Sequence, residues 1–246
     1  MNVEVTDIRY DEVYETGLVE GGSEVSIKVV FTNISKELDE STLTFYSELE
    51  GAIGSISGEG LEEKALQSDR SYTLKHKNVV DEVVVVWSGK APEVGIRNSY
   101  SFLSIAQETT EGNYSVVDIE REVSSKAIED AIVKIDNANK EVAKANVAIA
   151  DAEDRGLDVE AAQTSIELAN EHLSNANQFY GEGNPEEAIE EAEAAITSAQ
   201  DAAAKAGSAV GSRTYRNYGI IAVVIVVVVV VVVLFLQQMK RKRGVY

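Results

Sequence analysis

Two histidines, His76 and His172, are the only side chains of this chain that ordinarily titrate near neutrality, so general base or imidazole–metal chemistry would have to start from them. His76 falls on an alternating pattern with Tyr72 and Leu74, and His172 sits beside Leu173 on a helical seam. They belong to different parts of the chain, so a shared metal site or a Ser-His-Asp group would require the two parts to dock. There is no cysteine, which removes disulfides, thiolate metal sites and a cysteine nucleophile. No HExxH, GxSxG or P-loop spacing occurs, and Gly58-Glu59-Gly60 lacks the strand–glycine–helix context of a nucleotide fingerprint. Carboxylates are plentiful, but two of them hydrolyse a glycoside only in a cleft that sets their separation and raises one pKa. The expectation is a protein that is not an enzyme, with no catalytic residues and no resident cofactor.

Binding chemistry has three sources. Glu37, Asp39 and Glu40, or Glu62 and Glu63, are candidate oxygen ligands for Ca²⁺, though without EF-hand spacing. Glu186, Glu187, Glu190, Glu191 and Glu193 crowd one helix start, where the dipole explains the first of them and solvent or a basic partner the rest. Phe179 and Tyr180 form an aromatic pair suited to closing the end of a helical core. The net charge of −20 opposes binding to a phosphate backbone, so no nucleic-acid partner is expected.

The elements that would carry these residues change period once. Up to about residue 120 the pattern is period two. Val25, Ile27, Val29 and Phe31 alternate with Ser26, Lys28, Val30 and Thr32, and similar runs surround Val3–Ile8, Leu43–Phe45, Tyr72–Leu74, Val83–Trp87, Tyr100–Ile105 and Tyr114–Ile119. About seven short strands separated by turn formers, among them the stretch 51–60, imply an antiparallel, immunoglobulin-like β-sandwich over 1–120. From about Arg121 the spacing becomes three-four: Ile128, Ala131, Ile135, Ala138, Val142, Ala145, Ile149, Ala152. Val159 to Tyr180 and Ile189 to Ala206 repeat it, which implies an antiparallel three-helix bundle or coiled-coil stalk over 121–207, with helices at about 124–155, 158–181 and 185–207. Gly156 and Gly183 stand at helix ends, and Asn184-Pro185 at a start.

Beyond a linker at 208–218 lies a run of seventeen apolar residues, Ile220–Leu236, with valine at every position from Val226 to Val233. At about 1.5 Å per residue such a helix covers roughly 25 Å. A single transmembrane helix over 219–237 is therefore expected, with Ile220, Val226, Val233 and Leu236 in the lipid bilayer. Lys240, Arg241, Lys242 and Arg243 then form a basic cytoplasmic flank in the tail 238–246 and leave the N-terminal part outside the cell. No apolar leader follows Met1, which fits a lost leader or, alternatively, a tail anchor facing the cytoplasm. Asn33-Ile34-Ser35 and Asn113-Tyr114-Ser115 are candidate glycosylation sites.

The segments Val25–Ser35, Ser88–Val94, Thr109–Tyr114, Ile119–Val123, Tyr180–Asn184 and Glu187–Ile189 resemble archaeal membrane-anchored surface proteins that carry an S-layer-associated, CARDB-like β-sandwich, a likeness covering most of residues 1–236. That resemblance implies an exported, anchored protein with no catalytic residues to carry over. The resulting expectation is a structural and interaction protein of the cell envelope that engages an S-layer or other surface assembly. An accessory subunit of a membrane complex and a ligand- or polysaccharide-binding module are the alternatives. Oligomeric state stays open, because alanine-rich seams suit one chain's own bundle and long helices also pair between chains.

Overall fold

The computed structural model describes residues 1–209. Ten strands come first: β1 (Asn2–Arg9), β2 (Val19–Glu20), β3 (Glu24–Thr32), β4 (Glu40–Tyr46), β5 (Glu50–Gly58), β6 (Lys64–Gln67), β7 (Arg70–Lys75), β8 (Val83–Lys90), β9 (Asn98–Thr109) and β10 (Gly112–Ser124). Three helices follow, α1 (Lys126–Asp154), α2 (Glu160–Glu182) and α3 (Pro185–Gly207). One sheet has the order β1-β3-β8-β5-β6 and the other β2-β10-β9-β4-β7. Each strand of the pairs β3·β8 and β4·β9 gives alternate residues to a common core, as period two demands of a sheet with one wet face. Phe45 of the second sheet stacks on Trp87 of the first, ring centres 5.8 Å apart and planes 10° from parallel, so the two sheets share one interior.

The helices are joined by tight turns. Ser125 caps α1 by accepting a hydrogen bond from the Ile128 N–H, Gly156 (φ +71°) turns the chain after α1, and Gly183 (φ +83°) ends α2 in the left-handed region. Pro185 occupies the first turn of α3, where no backbone donor is lost. The buried side chains of α3 are Pro185 followed by alanines alone, Ala188, Ala192, Ala195, Ala199, Ala202 and Ala206. With so little side chain between the axes, α3 lies close along both α1 and α2, and those two meet each other through larger groups such as Val142, Ile149 and Ile166.

The fold class expected from the sequence is corrected in three respects. Helix and strand contribute nearly equal shares, about 37% and 38%, and the strands number ten in two five-stranded sheets rather than about seven. β2 runs parallel to β10, which an all-antiparallel immunoglobulin-like sandwich does not allow. The missed strand β5 was hidden by its glycines. A Cβ on Gly54 would lie 2.3 Å from the Trp87 ring, so the aromatic core residue requires a glycine in that strand. A coiled-coil stalk is also not shown: α3 lies against both α1 and α2, and its buried line runs through Ala188, Ala192, Ala195, Ala199, Ala202 and Ala206, while Ile189 and Ile196 flank it half-buried.

The single-pass membrane localisation is corrected as well. Among the described residues no helix is long and apolar enough to cross a membrane. Each of the three carries acids along its exposed side, such as Asp130, Asp136 and Asp151 on α1, and hydrocarbon could not solvate these. The expected span 219–237 with Ile220, Val226, Val233 and Leu236, most of the linker, and the basic flank Lys240, Arg241, Lys242 and Arg243 lie outside the described residues. The cell-surface, S-layer and archaeal attributes drew on that span, and nothing in the described residues supports them.

The glycines make a two-sided prediction. Gly54→Val should lower the denaturation midpoint of the β part, a loss of about 1–3 kcal/mol from forcing volume against Trp87. Gly181→Ala, at a helical position with open space around it, should raise stability by about 0.5–1 kcal/mol. Urea titrations of the two variants check both signs.

Candidate interaction surface

The outer face of the first sheet is built from the residues that period two turns away from the core. Strand register places them in rows: Glu4, Val30, Val84 and Ser57; then Asp7, Lys28, Val86, Ser55 and Ala65; then Arg9, Ser26, Ser88, Ile53 and Gln67. β5 and β8 contribute no charge to these rows. The next row in register is Glu24, Lys90 and Glu50, so the whole face carries Glu4, Asp7, Glu24 and Glu50 against Arg9, Lys28 and Lys90, a net charge of −1, and Arg9 Nε donates to Asp7 Oδ2 at 2.7 Å. Ile53 and Val86 are 60% and 39% exposed. A shallow groove of about 390 Å³ opens at one end, lined by Ile53, Ser88 and Gly89 with Glu24, Glu50 and Lys90 at its rim. The outer face of the second sheet differs in kind: Glu108, Asp118, Glu120 and Glu122 are all exposed there.

This face is held in a fixed relation to the helices. Arg97, on the loop between β8 and β9, donates from Nε and Nη2 to the two carboxylate oxygens of Glu129 at 3.1 and 2.5 Å, and Ser124 Oγ donates to Glu129 Oε1 at 2.6 Å. Glu129 is in the first turn of α1, so the pair ties the β part to the start of the helices. The Glu129 hydrogen bond pushes the Arg97 guanidinium above its ordinary pKa. Beside it, burial raises the Tyr180 phenol. Gly95 meets Gly183 backbone to backbone; a Cβ on Gly95 would fall 2.6 Å from the Gly183 carbonyl oxygen. On another side Tyr14 donates to Asp130 Oδ2 at 3.0 Å from a loop in which Tyr14 and Glu15 both adopt positive φ, 51° and 55°.

The candidate chemical residues resolve into separate, internally satisfied clusters. His76 is buried, and its Nδ1 donates to the Ser35 carbonyl at 2.8 Å. That fixes Nε2 as acceptor for Ser41 Oγ, 2.8 Å away, and Ser41 in turn accepts from Gln107 Nε2 at 2.9 Å. Serine and histidine thus stand at the spacing of a nucleophile and base, but all three side chains are buried and mutually occupied, which makes the group a polar lock of the β4–β7 corner. Sequence reasoning missed this pairing because Ser41 and His76 are joined only through the β4·β7 register. His172 donates from Nδ1 to Glu191 Oε2 at 2.7 Å between α2 and α3, which holds the Glu191 carboxyl below its usual range. Lys205 donates to Ser165 Oγ at 2.9 Å and pairs with Asp201 at 2.7 Å, next to an open groove of about 510 Å³ at the same end of α2 and α3.

The two histidines are therefore not brought together. Among the described residues, no group of three or more His, Asp or Glu is placed to hold a metal ion. Of the candidate Ca²⁺ ligands, Asp39 is paired with Lys77, which lowers its pKa, and Glu62 and Glu63 lie between β5 and β6. Of the acidic residues at the α3 start, Glu191 is taken by His172 and Glu193 by Lys134. Tyr180 lies half-buried beside Arg97 at the junction, and Phe179 is half-buried next to it. Asn33, with φ +52°, and Asn113, on β10, are both exposed.

No protein-family model and no curated protein matches the chain. Among solved structures, the Pseudomonas fluorescens alkylpurine DNA glycosylase AlkC bound to DNA containing an abasic site analog is 7% identical, with 50% of this chain and 31% of that chain covered at a TM-score of 0.27. CBM51-2 in complex with GlcNAc and INT domains from Clostridium perfringens ZmpB is 10% identical, covering 86% and 44% at a TM-score of 0.20. The chain spans under half the length of either, and similarity at that level bears on neither fold nor function.

Two outcomes follow for the junction and the bundle. Arg97→Ala should cost about 1 kcal/mol and leave circular dichroism intact while broadening the distribution of shapes seen by small-angle scattering, since Glu129 loses its cross-part partner. At the far end of α1, Glu153 Oε2 is buried without a partner and burial raises its carboxyl above 4.5. The unfolded chain releases that proton first, so stability falls as pH climbs from 4.5 through the raised value and stays reduced above it. Glu153→Gln, which still accepts from Gln163, should therefore melt higher than the parent at pH 7, with the difference gone below pH 4.5.

Proposed function

We propose that this protein is a non-enzymatic structural and interaction module, in which the helices and the junction hold the outer face of the β1-β3-β8-β5-β6 sheet in place for a protein partner. The observation that carries the reading is the charge content of that face, net −1 in a chain of −20, with β5 and β8 contributing only serine, valine and isoleucine across its centre and their charges, Glu50 and Lys90, at one end. A solvated sheet face in so acidic a chain needs no such balance, as the acid-rich outer face of the second sheet demonstrates. Flat, small and weakly apolar surfaces of this type are those that proteins cover with other proteins. The occupied Ser41–His76–Gln107 and Ser165–Asp201–Lys205 groups support a role without catalysis, because their hydrogen bonds are spent on packing the fold.

The absence of cysteine allows a direct test, because any introduced thiol is unique. Single cysteines at Ile53, Val86 and Thr73 are labelled with a maleimide in fresh extract of the source cells and, separately, in the dilute purified chain. Protection of Ile53→Cys and Val86→Cys in extract, relative to Thr73→Cys on the opposite sheet, is the expected result. Equal labelling of all three positions in extract would remove the interaction surface.

A further inference from the structure

We propose that the hairpin between β1 and β2 is a releasable clasp that fastens α1 to the β part, with the Tyr14 hydroxyl as its catch. The residues at the tip are the wrong types for its shape. The Glu12–Val19 bridge and the bond from the Val13 N–H to the Leu18 carbonyl, 2.9 Å, form the stem. The Thr16 N–H donates back to the Val13 carbonyl at 3.1 Å, which makes Tyr14 and Glu15 the central pair of a turn, both at positive φ. A type I′ turn has that pattern, and its central pair is ordinarily Asn-Gly or Asp-Gly. A side chain held in the left-handed region costs about as much as one hydrogen bond contributes in water. Tyrosine and glutamate therefore do not serve the turn itself.

Tyr14 serves what lies beyond the turn. Its phenol donates to Asp130 Oδ2 at 3.0 Å, 116 residues along the chain and one turn into α1. Asparagine or glycine at position 14 would leave that oxygen without this partner. Asp130 directly follows Glu129, so the attachments of α1 to Tyr14 and to Arg97 sit about 100° apart around the helix. A single attachment lets the helix pivot about it, and two in different directions do not. The two are unequal in strength. Arg97 grips Glu129 through two charge-assisted bonds, and the Glu129 side chain is only 15% exposed. Tyr14 is 52% exposed and holds by one bond, against the strain of its own turn. Val13, fully buried, keeps the stem seated while the tip lets go. The catch is thus the first of the two to open, and its opening frees α1 on that side alone. The clasp does not depend on what covers the sheet face.

Exchange of the Val13 amide, which closes the stem beside the tip, reports the clasp in the full chain. Tyr14→Phe keeps the ring and removes the hydroxyl, and Asp130→Ala removes the acceptor without touching the turn. Each should speed that exchange about fivefold, the effect of one net hydrogen bond. The double variant should be no faster than either, because both remove the same contact. Glu15→Gly supplies the residue the turn prefers and should slow the exchange about fivefold. Movement of the joint is read separately. Spin labels on Thr73→Cys and Val147→Cys, diluted with unlabelled chain, give the distribution of distances between the β part and α1. Tyr14→Phe and Asp130→Ala should each widen it at unchanged circular dichroism. An Asp130→Ala rate equal to the parent's, additive effects in the double variant, no slowing in Glu15→Gly, or an unchanged distance distribution each overturns the clasp.

Discussion

The bidentate contact from Arg97 to Glu129, with Ser124 donating to the same carboxylate, is the interaction on which the arrangement of the whole described chain depends. Two hydrophobic interiors exist here, one between the sheets and one among the helices, and they share no buried residue. With no residue common to the two cores, the relative placement of the two parts rests on contacts at their boundary, where Val13 and Ile128, next in sequence to Tyr14 and Glu129, are also fully buried. A guanidinium fork on a carboxylate fixes direction as well as distance, which a single ion pair would not do. Gly95 against Gly183 then removes the remaining slack, since no side chain stands between the two backbones. Continuity from β10 through Ser124 and Ser125 into α1 supplies the third constraint, with the serine cap locking the first helical turn directly behind the strand.

The two interiors solve the packing problem differently. Between the sheets the filling is large and aromatic, with Trp87, Phe31, Phe45 and Phe102 fully buried. Sheets stand about 10 Å apart, and only long side chains fill that gap. Among the helices the buried positions are dominated by alanine, so little apolar surface is removed per residue and the axes must approach closely to gain anything. Such a bundle gains less from burial than a core of leucine would and leans more on specific ties, which explains why His172–Glu191, Ser165–Asp201 and Lys134–Glu193 link different helices.

Much of this was legible in the sequence wherever a period was strong. The α1 seam expected from the three-four spacing is buried at Ile128, Ala131, Ala138, Val142, Ala145, Ile149 and Ala152, and α3 begins at Pro185 as the Asn-Pro pair implies. The strand around Val25–Phe31 buries alternate residues as read. Failures came where one residue answers to a distant neighbour. Gly54 marks a turn by its own preference and a strand because of Trp87. Ile189 and Ile196 mark a seam by hydrophobicity, yet alanines take the buried positions because α3 must fit between two helices. The candidate surface was the least visible part. Its low net charge is a property of four strands in register, and Asp7, Lys28, Val86 and Ser55 become neighbours only once β1, β3, β8 and β5 are paired.

The same register explains why that face can stay exposed without promoting disordered aggregation. β1 is the long open edge of its sheet, and an unpaired edge of eight residues invites strand addition by any extended peptide. Here the pairing of β1 with β3 slips between Val5 and Asp7, so the ladder is irregular in the middle of the edge, and Glu4, Asp7 and Arg9 place charge along it. An incoming strand would meet both the bulge and the charges. Strand addition at the edge is thus discouraged while the face beside it stays close to neutral.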